Sequence, residues 1–279
     1  MDALTRPTPA KGSALAQRYG TGAVPPAGPW SETIATMLDH RSVRAYLPDA
    51  VPAGTLETLI AAAQSAATSS NMQWWSAVAV TDPAVKKELA EIAGNQKHIE
   101  QCPLFIAWVA DMSRNARISN VEKADFECMP WLETFMVACI DAALAAQNAV
   151  VAAQSIGLST VYIGAMRNDP VRVAKLLGLP EKAFVVFGLC VGYATEKGIG
   201  EVKPRLPQAT VLHLERYDAS REAAERETYD AEMKIFSKRH ELQAATWTQR
   251  VLNRLGPIKS MNGREKIRAA LATLGFEIR

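Results

Sequence analysis

Five consecutive residues, His40, Arg41, Ser42, Val43 and Arg44, put one imidazole, two guanidinium groups and a hydroxyl side by side. A guanidinium is a planar fork matched to phosphate oxygens, and a serine hydroxyl adds a compact donor. The chemistry on offer is anion binding. A second short cationic element, Lys203-Pro204-Arg205, lies far along the chain. Two uncharged polar stretches could meet the rest of a ligand: Ser69, Ser70, Asn71 and Gln73 in ATSSNMQ (67–73), and Gln96 in GNQKHI (94–99). Glycine cradles for phosphate are missing. There is no G-x-G-x-x-G, no G-x-x-x-x-G-K-[ST], and no G-x-S-x-G elbow of the α/β-hydrolase kind. Any phosphate group must be held mainly by side chains.

The elements that carry these groups follow from periodicity. Ser31 is an N-cap, with Ile34, Met37 and Leu38 on one face of a helix that ends near HRSVR. A second helix covers 54–67, followed by the polar loop 67–73. Residues 75–81 read as a buried strand. Asp82-Pro83 opens a helix with Val85, Leu89 and Ile92 in one stripe, stopped by Gly94. Residues 104–110 form another buried strand. One long helix spans 131–156, ~39 Å at 1.5 Å per residue. Its surface is nearly all Ala, Val, Ile and Met, so it must be buried on every side, and a dimer core explains that burial. A strand at 160–163 ends at Gly164, Asp169-Pro170 opens a short helix that Gly178 closes, and 183–194 is a continuous apolar strand, as in a sheet covered on both faces. Residues 215–254 are charge-rich and helical, with Tyr229, Met233 and Phe236 as the apolar stripe, and 263–274 is a short amphipathic helix. The class is α+β, a central mostly antiparallel sheet flanked by helices.

Composition narrows the possible functions. The chain has 279 residues, 48% hydrophobic and 22% charged, as in soluble globular proteins. Its 31 basic and 29 acidic residues leave a charge of only +2, which argues against a nucleic-acid or anionic-membrane binder. Cys102, Cys128, Cys139 and Cys190 are scattered, and the four histidines lack metal-site spacing, which points to a reducing cytoplasm and no structural metal. Residues 142–166 carry no charge, but Gln147, Asn148, Gln154, Ser155 and Gly157 interrupt them, so they read as a core helix and a strand, not a membrane span. Residues 1–29 hold five Pro and four Gly and read as a flexible arm without a core pattern; 30–279 reads as a single domain with a helical C-terminal excursion.

Eight blocks in order carry a resemblance: HRSVR (40–44), ATSSNMQ (67–73), GNQKHI (94–99), AQNAVVAAQSIGL (146–158), VYIGAMRN (161–168), LLGLP (176–180), FGLCVG (187–192) and KPRLP (203–207). Together they resemble the nitroreductase superfamily, in its oxygen-insensitive NADPH-type nitroreductase and flavin reductase branch, over about residues 30–279. That resemblance implies an intertwined homodimer binding FMN without a covalent bond at the subunit interface. By position, His40, Arg41, Ser42 and Arg44 would lie at the FMN phosphate, with Arg205 closing on it and Lys203 near the pyrimidine edge. Ser69, Ser70, Asn71 and Gln73 match a segment that reaches the flavin from the partner, Gln96 would contact the ring, and Tyr162, Ile163, Gly164 and Ala165 would run along it, with a backbone N–H facing N5. No catalytic side chain is required, because the flavin does the redox chemistry and water can supply protons. The implied activity is two-electron, ping-pong transfer from NADPH or NADH to nitroaromatics, quinones or free flavin.

The sequence departs from the pattern in three places. The arm 1–29 is additional. Trp74-Trp75 stands where relatives carry a small side chain, so one Trp could narrow the acceptor pocket. The loop SKRHELQAATW (237–247) keeps Lys238 and Arg239 for a nicotinamide nucleotide, but Gln243 and Ala244 replace expected positive charge, which leaves NADH and NADPH both open. Two other functions stay open as well: a specialised flavoenzyme of reductive dehalogenase or flavin-fragmenting type, and a non-catalytic flavin-binding sensor.

Overall fold

The computed structural model describes residues 10–20 and 22–279, which divide into two compact units. The larger is Ser42–Ile199 with Asn262–Arg279; the smaller is the chain up to Arg41 with Gly200–Met261. In chain order, α1 (Lys11–Tyr19) and α2 (Glu32–Leu38) belong to the smaller unit. The larger holds α3 (Thr55–Gln64), α4 (Pro83–Ile92), α5 (Lys97–Gln101), α6 (Ser113–Glu122), α7 (Leu132–Ser155) and α8 (Pro170–Leu176). The smaller resumes with α9 (Gln208–Val211), α10 (Glu222–Arg239) and α11 (Trp247–Leu255), and α12 (Ile267–Thr273) returns to the larger.

The larger unit is built on one antiparallel sheet. Its strands are β1 (Trp75–Val80), β2 (Leu104–Asp111), β3 (Ser159–Ile163) and β4 (Ala183–Gly192), in the order β1-β2-β4-β3. Alternation along β2 sorts its side chains: Leu104, Ile106 and Trp108 pack with Ala145, Ala149 and Val150 of α7, while Phe105, Ala107 and Val109 face Leu89 of α4 and Val173 of α8. Both sheet faces are covered, which is why β2 and β4 read as unbroken apolar runs. Gly188 is required where it stands, because a Cβ there would enter the Phe105 ring. Between Trp108 and Val109 the register shifts: Trp108 opposes Phe187 and Val109 opposes Val185, so Val186 is one residue extra on β4. This β-bulge leaves the Val186 carbonyl to accept from the Arg167 guanidinium.

The caps read from sequence are present. Ser31 accepts from the Ile34 N–H at 3.3 Å, Asp82 from Ala84 at 2.7 Å, and Asp169 from Arg172 at 3.0 Å. Boundaries differ modestly: the second helix stops at Gln64, not 67, and 215–254 is broken into α10 and α11, the latter capped by Thr246. α6 was not foreseen; its polar sequence gives little periodic signal.

Two expectations differ from what the single chain shows. α7 buries an alanine-rich face, but Leu132, Met136, Ile140 and Leu144 are 46%, 48%, 53% and 44% exposed in the single chain. They recur every fourth residue and form one outward apolar stripe. α7 is long and apolar enough to cross a membrane by composition, yet its Ala145–Ala153 stretch packs on the sheet. The second concerns the arm. Within 1–29, residues 11–19 form α1, whose Ala14, Leu15 and Arg18 are buried, so a packing face exists there. Of that arm, residues 1–9 and Thr21 lie outside the described residues. In the same unit, Tyr229, Met233 and Phe236 of α10 pack with Leu206, Leu242 and Trp247, as their spacing required.

Candidate functional site

HRSVR directly follows the end of a helix. α2 stops at Leu38, and the chain leaves it without helical structure. In the larger unit, Ser42 bridges Thr160 in parallel, and the Val43 N–H donates to the Thr160 carbonyl at 3.0 Å, which fixes the segment to the start of β3. Val43 is buried, so Ser42 and Arg44 on either side are both exposed. Among the described residues, no carboxylate stands within ion-pair distance of Arg44. Burial, and next the nearby Arg44 charge, push the His98 imidazole below its ordinary value, and its Nε2 is buried without a hydrogen-bond partner. The buried Thr160 hydroxyl is also unpartnered. An unneutralised guanidinium with unmet polar atoms close by fits the oxygens of a phosphate.

The other end of β3 is different in character. Ile163 is buried in the core, and the Tyr162 ring packs edge-on against Phe187 at 4.8 Å, with its hydroxyl donating to Gln147 at 3.3 Å. Their side chains are committed to packing. After Ile163 the chain turns into a 3-10 stretch, Gly164–Asn168. The first N–H groups of such a turn have no partner in its own ladder. Gly164 has no side chain to hold a flat ring away, and the Arg167 guanidinium lies 3.3 Å from where its Cβ would be.

The polar loop is held from two sides. Asp141, 2% exposed on α7, accepts from the Thr68 hydroxyl at 2.5 Å, the Ser69 N–H at 3.2 Å and the Trp74 N–H at 3.3 Å. Arg114 of α6 donates to the Gln73 carbonyl at 2.9 Å and to the Ser76 hydroxyl at 2.9 Å. Ser70, Asn71 and Gln73 all sit at positive φ, 49°, 56° and 51°. Such backbone costs about 1 kcal/mol or more per residue without glycine, and it persists where surrounding contacts over-determine it. Ser69, Ser70, Asn71 and Gln73 are thereby presented to the outside. Asp111, which accepts from Ser76 and Ser113 at 2.5 Å each, supports the Arg114 side. Burial pushes the Asp111 carboxyl up, but the Ser113 and Ser76 hydrogen bonds and the Arg114 charge outweigh it, and the net displacement is downward. Trp74 is buried; Trp75 packs on Trp108 at 5.5 Å and lines a shallow cavity of about 490 Å³ with Gln73 and Arg114. Gln96 begins α5 and donates its amide to the Ala93 carbonyl at 2.9 Å.

The smaller unit holds the other cationic candidates. Arg41 is bound to Asp39 at 2.7 Å, so its fork is already committed. Lys203 lies 5.9 Å from the Phe236 ring centroid, and Arg205 is exposed. The Tyr229 hydroxyl donates to the Pro204 carbonyl at 2.9 Å, which anchors KPR to α10. Lys238 and Arg239 close α10; Arg239 pairs with Glu201 at 2.9 Å. The buried Arg18 donates to the carbonyls of Leu38 at 2.6 Å, His40 at 2.9 Å and Lys203 at 2.8 Å, and its own carbonyl accepts from the Arg205 N–H at 2.8 Å.

Sequence reasoning singled out neither Arg18, Arg114 nor Asp141. Asp141 left a usable signal, since an acid in the middle of a largely apolar core helix must have donors waiting for it. Arg18 left none, because its partners are backbone carbonyls distant in sequence, and the contact of Arg114 with the Gln73 carbonyl is of the same kind.

Residues 37–193 match the nitroreductase family, and 203–279 match its C-terminal domain. The chain is 37% identical over 227 residues to an NADPH-flavin oxidoreductase of Vibrio harveyi, covering 81% of this chain and 91% of that one. It is 36% identical over 229 residues to an FMN reductase (NADPH) of Bacillus subtilis, covering 80% and 91%. The solved structure of NfrA2 from B. megaterium superposes with a TM-score of 0.84 at 39% identity, over 90% of this chain and all of that one.

Proposed function

The chain belongs to the nitroreductase family, and from that premise we propose that it is an FMN-dependent NAD(P)H oxidoreductase whose flavin lies along β3. Bound FMN supplies two-electron transfer between a nicotinamide and an acceptor such as a nitroaromatic, a quinone or free flavin. The observation that carries the placement is the polarity of β3. An unneutralised Arg44 with Ser42 stands at its start and a side-chain-free Gly164 turn at its end. Thr160 and Gly164 are about 13 Å apart at 3.3 Å per residue, so the two ends of β3 can meet separate parts of one ligand.

The roles of this chain's residues follow from that orientation. Ser42 and Arg44 bind the phosphate, and the positive charge of Arg44 favours the dianion. The Gly164 and Ala165 N–H groups are the donors available to the edge of the ring. Gln96 and the loop Ser69, Ser70, Asn71 and Gln73 supply polar contacts to flavin, the loop doing so for a second copy of the chain. His40 and Arg205 in the smaller unit are assigned to the phosphate, and Lys203 to the pyrimidine edge, on their position in the family pattern and their charge. Arg41 is left out of that set because Asp39 holds it.

We assign the stripe Leu132, Met136, Ile140 and Leu144 to a homodimer interface, since four outward apolar side chains on one core helix call for a partner of the same kind. The nicotinamide nucleotide is assigned to the end of α10 at Lys238 and Arg239, and the protein to the cytoplasm. The test is anaerobic mixing of the yellow holoprotein with NADPH and, separately, NADH. Loss of the oxidised-flavin band near roughly 450 nm is expected. A protein whose band survives both donors is a flavin binder, not a reductase.

A further inference from the structure

The buried Arg18 has no place in the roles assigned above, yet it touches both segments that carry the smaller unit's phosphate candidates. It lies in the last turn of α1, 5% exposed. Its guanidinium spans two stretches of chain remote in sequence. One terminal nitrogen donates to the carbonyls of Leu38 and His40, at 2.6 Å and 2.9 Å; the other donates to the Lys203 carbonyl at 2.8 Å. Its own carbonyl receives the Arg205 N–H at 2.8 Å. The guanidinium spreads these bonds over two terminal nitrogens held in one plane, whereas a lysine ammonium carries its three donors on a single atom.

The electrostatics are equally unusual. Burial, then repulsion from Arg205 and Arg41, bring the Arg18 guanidinium down to about 10, so it remains charged at neutral pH. The Asp39 carboxylate pulls the other way, and Arg41 already holds that group at 2.7 Å. The like charges of Arg205 and Arg41 lie near Arg18, and fixed positive charge of this kind favours an incoming dianion.

We propose that Arg18 is a positioning residue for recognition of the flavin phosphate, fixing the backbone on which His40 and Arg205 stand and adding a buried positive charge behind them. The proposal rests on the assignment of those two residues to the phosphate. It also gives α1, in the segment read from sequence as an arm, a part in cofactor binding.

The discriminating ligand is riboflavin, which has the ring and the ribityl chain without the phosphate. Apoprotein of the full chain is titrated with FMN and with riboflavin, following flavin fluorescence, for wild type, Arg18→Met and Arg18→Lys. Circular dichroism and thermal melting monitor folding. Arg18→Met is expected to weaken FMN roughly tenfold or more, the scale of lost charge-assisted contacts, while riboflavin changes by no more than about threefold. Arg18→Lys keeps the charge and loses the bridge, so it should fall between the two. The ratio of FMN to riboflavin affinity decides. An equal loss for both flavins, or an unchanged ratio, overturns the proposal and leaves Arg18 as a support of the fold. If Arg18→Met does not fold, the ratio in Arg18→Lys settles the matter by the same criterion. A wild-type protein with no preference for FMN over riboflavin would refute the phosphate assignment itself, a different result from a preference that survives the loss of Arg18.

Discussion

Replacing Asp141 tests the account of the polar loop most directly. The carboxylate accepts three hydrogen bonds, from the Thr68 hydroxyl and from the N–H groups of Ser69 and Trp74. Bonds to a charged acceptor contribute roughly 1.5–3 kcal/mol each, and leaving a buried donor unmet costs about 1–3 kcal/mol. Ser69 is exposed and can turn to water, so its share is discounted. Trp74 is buried and Thr68 half-buried, so they lack that escape. Asp141→Ala should therefore cost about 3 kcal/mol, within the range for breaking a buried charged network. Asp141→Asn keeps one acceptor oxygen but turns an amide NH2 towards donors, and should cost about half as much. The loop also carries three left-handed residues that relax once the clamp opens. FMN should then dissociate more readily, beyond what global stability explains. Urea unfolding at constant m-value gives the first quantity, and FMN titration of the folded fraction gives the second. Asp141→Asn within about 0.5 kcal/mol of wild type, with FMN affinity unchanged, would show that the clamp is incidental.

Other expectations concern separate parts of the molecule. Arg44→Ala should lower FMN affinity by about 1.5–3 kcal/mol, read by fluorescence titration, whereas Arg41→Ala should change it little because Asp39 already neutralises Arg41. Ile140→Glu, which places a charge in the outward stripe of α7, should shift sedimentation from dimer to monomer at micromolar concentration; an unchanged dimer would move the interface elsewhere. His98 titrates below its ordinary value of about 6.5 in the folded protein, so its contribution to stability is complete above that pH and is lost as pH falls towards the folded value. Binding of a phosphate dianion beside Arg44 should raise the His98 value, an NMR-observable shift that riboflavin should not produce.

Much of this architecture was legible because local signals and tertiary demands coincide. The four strands stand out as apolar runs because their sheet is covered on both faces, and the caps at Ser31, Asp82 and Asp169 stand out because their side chains answer nearby N–H groups. The blocks at 40–44, 67–73 and 161–168 were legible as polar or glycine-bearing interruptions between such runs. Contacts that join distant segments through main-chain carbonyls were not. Arg18 meets Lys203 and Arg114 meets Gln73 with no complementary residue type to betray the pairing. The commitment of Arg41 to Asp39 was likewise invisible, because a guanidinium two residues from a carboxylate can point either way until the backbone is fixed. α1 escaped notice because its buried face is only Ala14, Leu15 and Arg18, too small and too polar for a periodic signal.

The extra residue in β4 has a reach beyond strand pairing. Arg167 bonds to the Val186 carbonyl and lies over Gly164, so the shape of the turn at the end of β3 depends on a backbone oxygen that a regular ladder would have used. Shortening β4 by that single residue would tidy the alignment of β2 and β4 and still damage the protein. Arg167 would lose its bond to the Val186 carbonyl beside Gly164, where a flavin ring is expected to rest. Tolerance to insertions and deletions should accordingly be lower at this interior position than the conservative look of its valines suggests.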